Sequence, residues 1–272
     1  MKKIIFLDID GTLCDIHGTV PQSAIMAVQT ARKNGHKVYL CTGRSKGEIY
    51  EKIFDIGFDG LIGAAGAYVE SDNEVLYHKS IDDNTIHSLV EYLQENKIVF
   101  VLETNHGVFM QNNDIKILEE LFKAIKGESR NESEENMGIL KSIGNVSQAS
   151  EVNKVLFFCS SKSIQEIQDQ FKENLLVMPS SIIDFGGISG EISDKNINKS
   201  TGIQIVLEHL GITREAVIAM GDGPNDVEML EFANIGIAMG NALDQLKQHA
   251  DEVTDSVSEN GIYNSFKKHE LI

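Results

Sequence analysis

Apolar and polar positions along this chain fall into blocks whose period switches between that of a buried strand and that of a helix. Residues 2–9, with the continuous apolar run Ile4-Ile5-Phe6-Leu7, predict a buried strand. Pro21 then opens a helix with Ile25, Val28 and Ala31 at helical spacing, and Gly35 suits its C-terminal cap. Val38-Tyr39-Leu40-Cys41 predicts a second strand, which ends in Thr42-Gly43-Arg44. Ile49, Ile53 and Ile56 predict a second helix stopped by Gly57, and Leu61-Ile62-Gly63-Ala64-Ala65 a third strand. Strands alternating with helices in this way predict a parallel α/β sheet.

The rhythm changes near residue 80. A helix over 82–96 leads into Ile98-Val99-Phe100-Val101-Leu102, then Asn105-His106-Gly107, then Val108-Phe109-Met110, which predicts a hairpin with a short turn. A helix over 113–126 follows, then a polar loop from Gly127 to Asn136, a strand over 152–160, a helix over 163–174 and two strand-like runs up to about residue 187. The α/β rhythm resumes after about residue 190, with helix 199–210, strand 217–221, helix 225–233 and strand 235–239. The expected fold class is therefore α/β. Residues 1–80 and 189–272 form a Rossmann-like parallel-sheet core, and residues 81–188 form an inserted α+β domain. Hinges are expected near Ser80–Asp83 and Ile188–Asp194.

Composition narrows the partners. With 272 residues, of which 42% are hydrophobic, the chain can bury a sizeable core. Lys and Arg number 24 against 41 Asp and Glu, a net charge of −17, which argues against nucleic acid or an anionic membrane as partner. An anionic ligand would need local positive charge. No apolar run reaches the length of a membrane span, and the apolar run after Met1-Lys2-Lys3 is too short for a secretory signal. The three cysteines, Cys14, Cys41 and Cys159, lack C-x-x-C spacing, so reduced thiols and a cytoplasmic location are expected, as a monomer or small homo-oligomer.

Against that background two acidic motifs stand out. Asp8-Ile9-Asp10-Gly11-Thr12 follows the first strand, and Gly221-Asp222-Gly223-Pro224-Asn225-Asp226 follows Val217-Ile218-Ala219-Met220. Open parallel sheets place their sites at such strand C-terminal ends. Four carboxylates gathered there would repel one another, so a hard cation is the natural companion, which points to magnesium and a phosphate. Asp8 and Asp10 are two apart at a strand end, a spacing that puts both side chains on one side of a strand. One carboxylate can attack phosphorus without a general base, and its neighbour can carry a proton to and from the leaving oxygen. The bland alternative is an acidic turn of calcium-loop appearance. Asp222 sits where its strand ends and Asp226 one turn into the next helix; helix capping explains one of these acids but not both.

Thr42 and Gly43 offer a hydroxyl and backbone N–H groups for phosphate oxygens, though a capping role would account for the threonine alone. Lys199, at the start of a helix, would ordinarily be solvated, but an acidic phosphate site calls for an ammonium. Other phosphate chemistries lack their residues. There is no G-x-x-x-x-G-K-[ST] run. Gly47 stands where a cysteine-dependent phosphatase would need arginine after Cys41, no histidine follows an arginine, and the histidines show no zinc spacing.

Taken in order, Asp8-Ile9-Asp10-Gly11-Thr12-Leu13, Thr42-Gly43-Arg44, Lys199 and Gly221 to Asp226 resemble the haloacid dehalogenase superfamily of aspartyl-phosphate-forming phosphatases. Ala238-Met239-Gly240-Asn241-Ala242, Ala250 to Thr254 and Asn260-Gly261-Ile262 are similar to its Cof-type branch, which carries an inserted α+β cap. The resemblance covers roughly 1–80 and 189–272. It implies Asp8 as nucleophile and metal ligand, and Asp10 as general acid/base with its backbone carbonyl on the metal. Thr42 and Lys199, with Gly43 and Asn225, fall in the phosphate-binding set; Asp222 is a magnesium ligand supported by Asp226, and Asn225 orders Asp222 or Lys199. Two positions depart from the family pattern. Ala65-Gly66-Ala67 replaces a usual Asn-Gly-Ala, and Lys195-Asn196-Ile197-Asn198-Lys199-Ser200 lacks the usual glycines. The implied activity is magnesium-dependent hydrolysis of small phosphorylated metabolites, such as sugar phosphates. A phosphotransferase or sugar phosphomutase, and a non-enzymatic phosphate-binding module, are the alternatives.

Overall fold

The computed structural model of the chain describes residues 2–118, 120, 140–143, 149–180 and 187–272. They form two compact units. The first comprises Met1–Arg44, Ile49–His78 and Ile197–Ile272; the second comprises Ser45–Glu48 and Lys79–Asn196.

The first unit is built on an eight-stranded sheet. In spatial order its strands are β14 (Glu252–Val253), β13 (Ile235–Ala238), β12 (Val217–Gly221), β1 (Ile4–Leu7), β2 (Lys37–Cys41), β3 (Gly60–Gly63), β4 (Tyr68–Ser71) and β5 (Glu74–His78). The six from β14 to β3 are parallel, and β4 and β5 add an antiparallel edge. Period-two alternation splits β1 between two cores. Ile5 and Leu7 pack with Ala27 and Val28 of α1 (Gln22–Lys33) and Phe266 of α7 (Gly261–Lys268). Ile4 and Phe6 pack with Ile203 and Val206 of α5 (Lys199–Leu210) and Met229 and Leu230 of α6 (Val227–Phe232). Both faces of the sheet are thus covered, which is why its central strands read as unbroken apolar runs. β1 is flanked by β2 and β12, so the chain reverses its direction of strand addition there, the switch point at whose strand ends open α/β sheets bind their ligands.

The second unit holds a six-stranded sheet. Its order is β10 (Leu175–Pro179), β11 (Ile188–Asp194), β9 (Val152–Ser160), β6 (Val99–Thr104), β7 (Gly107–Gln111) and β8 (Leu140–Ile143), antiparallel except for the β7–β8 pair. Leu89 and Leu93 of α3 (Asp83–Glu95) and Ile167 of α4 (Ile164–Phe171) bury one face against Phe100, Leu102, Val155, Phe157 and Ile192. The opposite face carries Val101, Leu156 and Phe158, with Glu103 and Lys154 buried among the strands.

The architecture is the expected one: a parallel-sheet α/β core and a separate inserted mixed sheet. Several local expectations change. Ile188–Asp194 is a strand paired on both sides, so it cannot serve as a hinge. The second strand-like run before residue 187, the Gly127–Asn136 loop and the expected helix beyond Leu118 lie outside the described residues, apart from Glu120. The expected helix through Ile49 and Ile56 is a turn at Lys46–Glu48 followed by α2, Glu51–Phe54. The β4–β5 hairpin was not foreseen. Asp72 (φ 49°) and Asn73 (φ 68°) turn it, both left-handed as a two-residue hairpin turn requires. Among the described residues no helix is long and apolar enough to cross a membrane.

Candidate active site

The two acidic motifs meet because β1 and β12 are adjacent and parallel. The Asp8 N–H donates to Met220 O at 3.1 Å, setting the ends of the two strands side by side. Asp222 follows β12 directly. α5 brings in the cation. Asn198 caps that helix by accepting from the Thr201 N–H at 3.1 Å, and Lys199 is its first residue. Lys199 is fully buried, and its Nζ donates to Asp8 Oδ1 at 2.6 Å and Asp226 Oδ1 at 2.5 Å.

Asp226 is committed on both oxygens. Beyond Lys199, its Oδ2 accepts from the N–H groups of Asp222 and Gly223 at 3.0 Å each. It thereby fixes the turn that presents Asp222. Among the described residues, the Asp222 carboxylate accepts only a long hydrogen bond from Thr12 Oγ1, at 3.4 Å. Gly11 closes the other side. Its φ is +76°, and a Cβ there would stand 2.1 Å from Asp222 Oδ2, so both conformation and space demand glycine. Asp8, Asp222 and Asp226 offer carboxylate oxygens that all lie within 4.8 Å of one another.

Electrostatics reflect this crowding. Burial pushes the Asp8 carboxyl well above the usual range, with Lys199 pulling it down and the charges of Asp226 and Asp10 adding to the rise. Asp222 is pushed up to about 7, first by burial and then by the Asp226 charge. Burial disfavours the Lys199 ammonium, but Asp226 and Asp8 outweigh it and hold the group charged. One ammonium does not balance three carboxylates. Asp222, poorly hydrogen-bonded and raised in pKa, is where an additional positive charge fits, and an all-oxygen donor set suits a hard divalent ion.

Asp10 departs from expectation. β1 ends at Leu7 and the chain turns through Asp8–Cys14, so the same-side rule for strands no longer applies. The Asp10 carboxylate, half exposed, is gripped by Arg44: Nε donates to Oδ2 at 2.7 Å and Nη2 to Oδ1 at 2.6 Å. It is not part of the three-carboxylate cluster. Thr42 is buried at the end of β2, where its Oγ1 accepts the Arg44 N–H at 3.2 Å. The Asn225 amide lies over Gly43, 3.1 Å from where a Cβ would stand. The structure thus unites Asp8, Lys199, Asp222 and Asp226 and sets Asn225 beside Gly43. Arg44, Thr12 and Gly11 are the participants to which the sequence assigned no individual role. At the first family departure, Ala64 and Ala65 take left-handed φ values of 48° and 53°, and Gly66 packs on the Asn198 carbonyl; a Cβ there would stand 2.2 Å from that oxygen. At the second, Asn198 and Thr201 cap α5 through a reciprocal box without the usual glycines.

Comparison with known proteins places this geometry. The haloacid dehalogenase-like hydrolase family matches residues 5–266. The chain is 28% identical over 270 residues to YkrA of Bacillus subtilis strain 168, covering 98% of this chain and 97% of that protein. It is 26% identical over 277 residues to the 5-amino-6-(5-phospho-D-ribitylamino)uracil phosphatase YitU of the same organism, at 98% and 97% coverage. Among solved structures, the HAD subclass IIB sugar phosphatase BT4131 superposes with a TM-score of 0.81, at 25% identity and 100% coverage of both chains.

Proposed function

The chain belongs to the haloacid dehalogenase-like hydrolases, in their Cof-like subclass IIB with a cap domain, and is a phosphatase; we propose that it hydrolyses small phosphorylated metabolites, of the sugar-phosphate kind, through a phosphoaspartyl intermediate on Asp8 with magnesium at the carboxylate cluster. The observation that carries this reading is the state of Asp8. Lys199 holds Oδ1 at 2.6 Å, while Oδ2 has no donor among the described residues, so one oxygen is anchored and the other is open for attack. Relatives whose names specify a phosphorylated uracil derivative or sugars support the substrate class and leave the individual substrate open.

In the proposed chemistry, Asp10 leaves Arg44 and takes a proton from solvent; Asp8 Oδ2 then attacks phosphorus and the bond to the leaving oxygen breaks, with that proton passing from Asp10 to the leaving oxygen. Asp10 then takes a proton from water as the water oxygen attacks phosphorus. The Asp8–phosphorus link breaks, releasing inorganic phosphate and restoring the carboxylate. Lys199, Thr42 and the Gly43 N–H hold the phosphoryl oxygens, with Asn225 bracing Gly43. Asp10 must leave Arg44 to do this, and an incoming phosphate dianion is a direct competitor for that guanidinium. Asp8, Asp222 and the Asp10 backbone carbonyl would hold magnesium, with Asp226 fixing the Asp222 turn. When bound, magnesium supplies the positive charge that lets carboxylates and phosphate share one site. Residues 81–188 are proposed to recognise the rest of the substrate.

A phosphate-release screen over phosphorylated metabolites tests this reading. Excess EDTA should abolish turnover and magnesium restore it. Metal affinity should carry a pH signature: Asp222, raised to about 7, holds a proton below that pH and must lose it to bind a cation. Affinity should therefore weaken by about tenfold per pH unit below neutrality. Undiminished turnover in EDTA would refute the metal assignment.

A further inference from the structure

The chain enters the second unit twice, once as Lys79–Asn196 and once as Ser45–Glu48, which comes directly after Thr42-Gly43-Arg44. A polar knot holds those four residues there. Ser45 is fully buried; its Oγ donates to Glu103 Oε2 at 3.4 Å and accepts from Asn153 Nδ2 at 3.3 Å, while its N–H donates to Glu48 Oε2 at 2.9 Å. Gly47 is pressed on the β6–β7 turn, where a Cβ would stand 2.3 Å from Gly107 N and 2.7 Å from Thr104 O.

The centre of the knot is Glu103, fully buried in β6 on the face opposite α3 and α4. Lys154 Nζ from β9 lies 3.4 Å from Glu103 Oε2 and 3.3 Å from Glu191 Oε2 of β11. Glu103, Glu191 and Glu48 all act on the Lys154 ammonium. Glu103 Oε1 is buried with no N–H or O–H donor among the described residues. A buried carboxylate oxygen cannot stay bare beside a second carboxylate.

We propose that Glu103 is a positioning residue of the phosphatase site: as a neutral acid it donates an O–H to the Glu48 carboxylate, closing a latch on Ser45–Glu48 and so fixing the adjoining Thr42–Arg44 turn. The charges around it agree. Burial, then Glu48, raises the Glu103 carboxyl well above the usual range, with Lys154 opposing and Glu191 adding to the rise. Lys154 keeps its charge against burial through its acidic neighbours Glu103, Glu191 and Glu48, of which Glu191 and Glu48 stay ionised while Glu103 holds its proton. Because the folded protein holds this proton more tightly than the unfolded chain, the latch is fully closed below the carboxyl's unfolded-chain value. It is lost as pH rises through the folded-state value. Chain connectivity sets what the latch controls: Arg44 grips Asp10 and its N–H donates to Thr42 Oγ1, one peptide bond from Ser45.

The test uses the full-length protein, with hydrogen exchange of the peptide spanning Thr42–Glu48, corrected for intrinsic rate, followed from mildly acidic to alkaline pH. kcat and KM for an aryl phosphate are measured in parallel. In the wild type, protection and kcat should fall together as pH rises through the folded-state value of Glu103, while KM stays nearly constant. Glu103→Gln should keep both flat, because its amide donates to Glu48 at any pH and its carbonyl still accepts from Ser45. Glu103→Ala should lose protection at all pH values and lose about tenfold in kcat through misplacement. Identical pH dependence of protection in wild type and Glu103→Gln would overturn the latch. Protection that matches the prediction while kcat does not would overturn the positioning role. The catalytic arm rests on the phosphatase reading, but exchange does not: a protein that turns over no phosphomonoester yet shows the predicted exchange would sink that reading and leave the latch standing.

Discussion

Each unit of the molecule buries a lysine between two carboxylates, and the two triads behave differently. In the first unit Lys199 Nζ lies 2.6 Å from Asp8 and 2.5 Å from Asp226; in the second, Lys154 Nζ lies 3.4 Å from Glu103 and 3.3 Å from Glu191. Both ammonium groups stay charged because acidic neighbours outweigh burial. The contrast lies in the surplus negative charge. Around Lys199 it sits on Asp222 and on the second oxygen of Asp8, at the strand ends of the topological switch point, where a cation and a phosphate can complete the site. Around Lys154 it sits buried between a sheet face and the Ser45–Glu48 turn, where a proton between Glu103 and Glu48 completes it from within. The same set of one ammonium and two carboxyl groups serves chemistry or architecture according to whether the surplus charge is met by a ligand or by a proton.

The largest effect should come from the nucleophile. Asp8→Asn keeps the shape and hydrogen-bonding reach of the side chain and removes the attacking oxyanion, so kcat should fall by more than about 10³-fold. Glu191→Gln, the corresponding change beside Lys154, should leave kcat within about threefold. Steady-state kinetics on freshly purified protein, checked for deamidation, decides it. Near wild-type turnover in Asp8→Asn would remove the covalent mechanism and with it the contrast between the triads.

Removing the lysines sharpens the comparison. Lys199→Met and Lys154→Met each strand buried carboxylates, and each should cost about 3–5 kcal/mol in urea unfolding of the metal-free protein. Their kinetics should diverge. Lys199→Met also loses a cation aimed at the phosphoryl group, so kcat per folded molecule should fall by about 10²–10³-fold. Lys154→Met should stay within about tenfold, the scale of a displaced support. Equal losses in kcat would mean that the second triad is as catalytic as the first.

The difference between the triads also explains what the sequence revealed. β12 and α5 run over the residues foreseen, and Lys199 was singled out, because its partners belong to short motifs at strand ends. Lys154 passed unnoticed: Glu103 is 51 positions away on another strand, and a lone charge in an alternating strand reads as an ordinary outward residue. The one available signal was Glu103 at the end of Val99-Phe100-Val101-Leu102, where its neighbours on the same face are apolar. Asp10 was misdirected because strand periodicity was carried past the end of β1 into a turn. The β4–β5 hairpin escaped because its strands are only four and five residues long and it turns on Asp72-Asn73 rather than on a glycine pair.

The smallest expected effect compares two helix caps. Asn198 begins α5 in the first unit and Ser163 begins α4 in the second, and each forms a reciprocal box with the residue three positions on, Thr201 and Glu166. Truncation to alanine exposes the same kind of orphan N–H in both, so Asn198→Ala and Ser163→Ala should each cost about 1 kcal/mol of stability. The two caps differ in the residue they place next. After Ser163 comes Ile164, the first residue of a helix that packs on the second unit's sheet, so fraying there should leave kcat unchanged. After Asn198 comes Lys199, whose ammonium must reach both Asp8 and Asp226, and a frayed first turn moves the base of that side chain. Asn198→Ala should therefore lower kcat by about three- to tenfold with little change in KM, and Asn198→Asp, which also caps well, should recover most of it. Urea titrations confirm that the two alanine variants are equally destabilised, and kinetics well below their melting points then isolate the placement of Lys199. If both lose kcat in the same proportion, the loss reflects general loosening, and α5 has no special part in aiming the lysine.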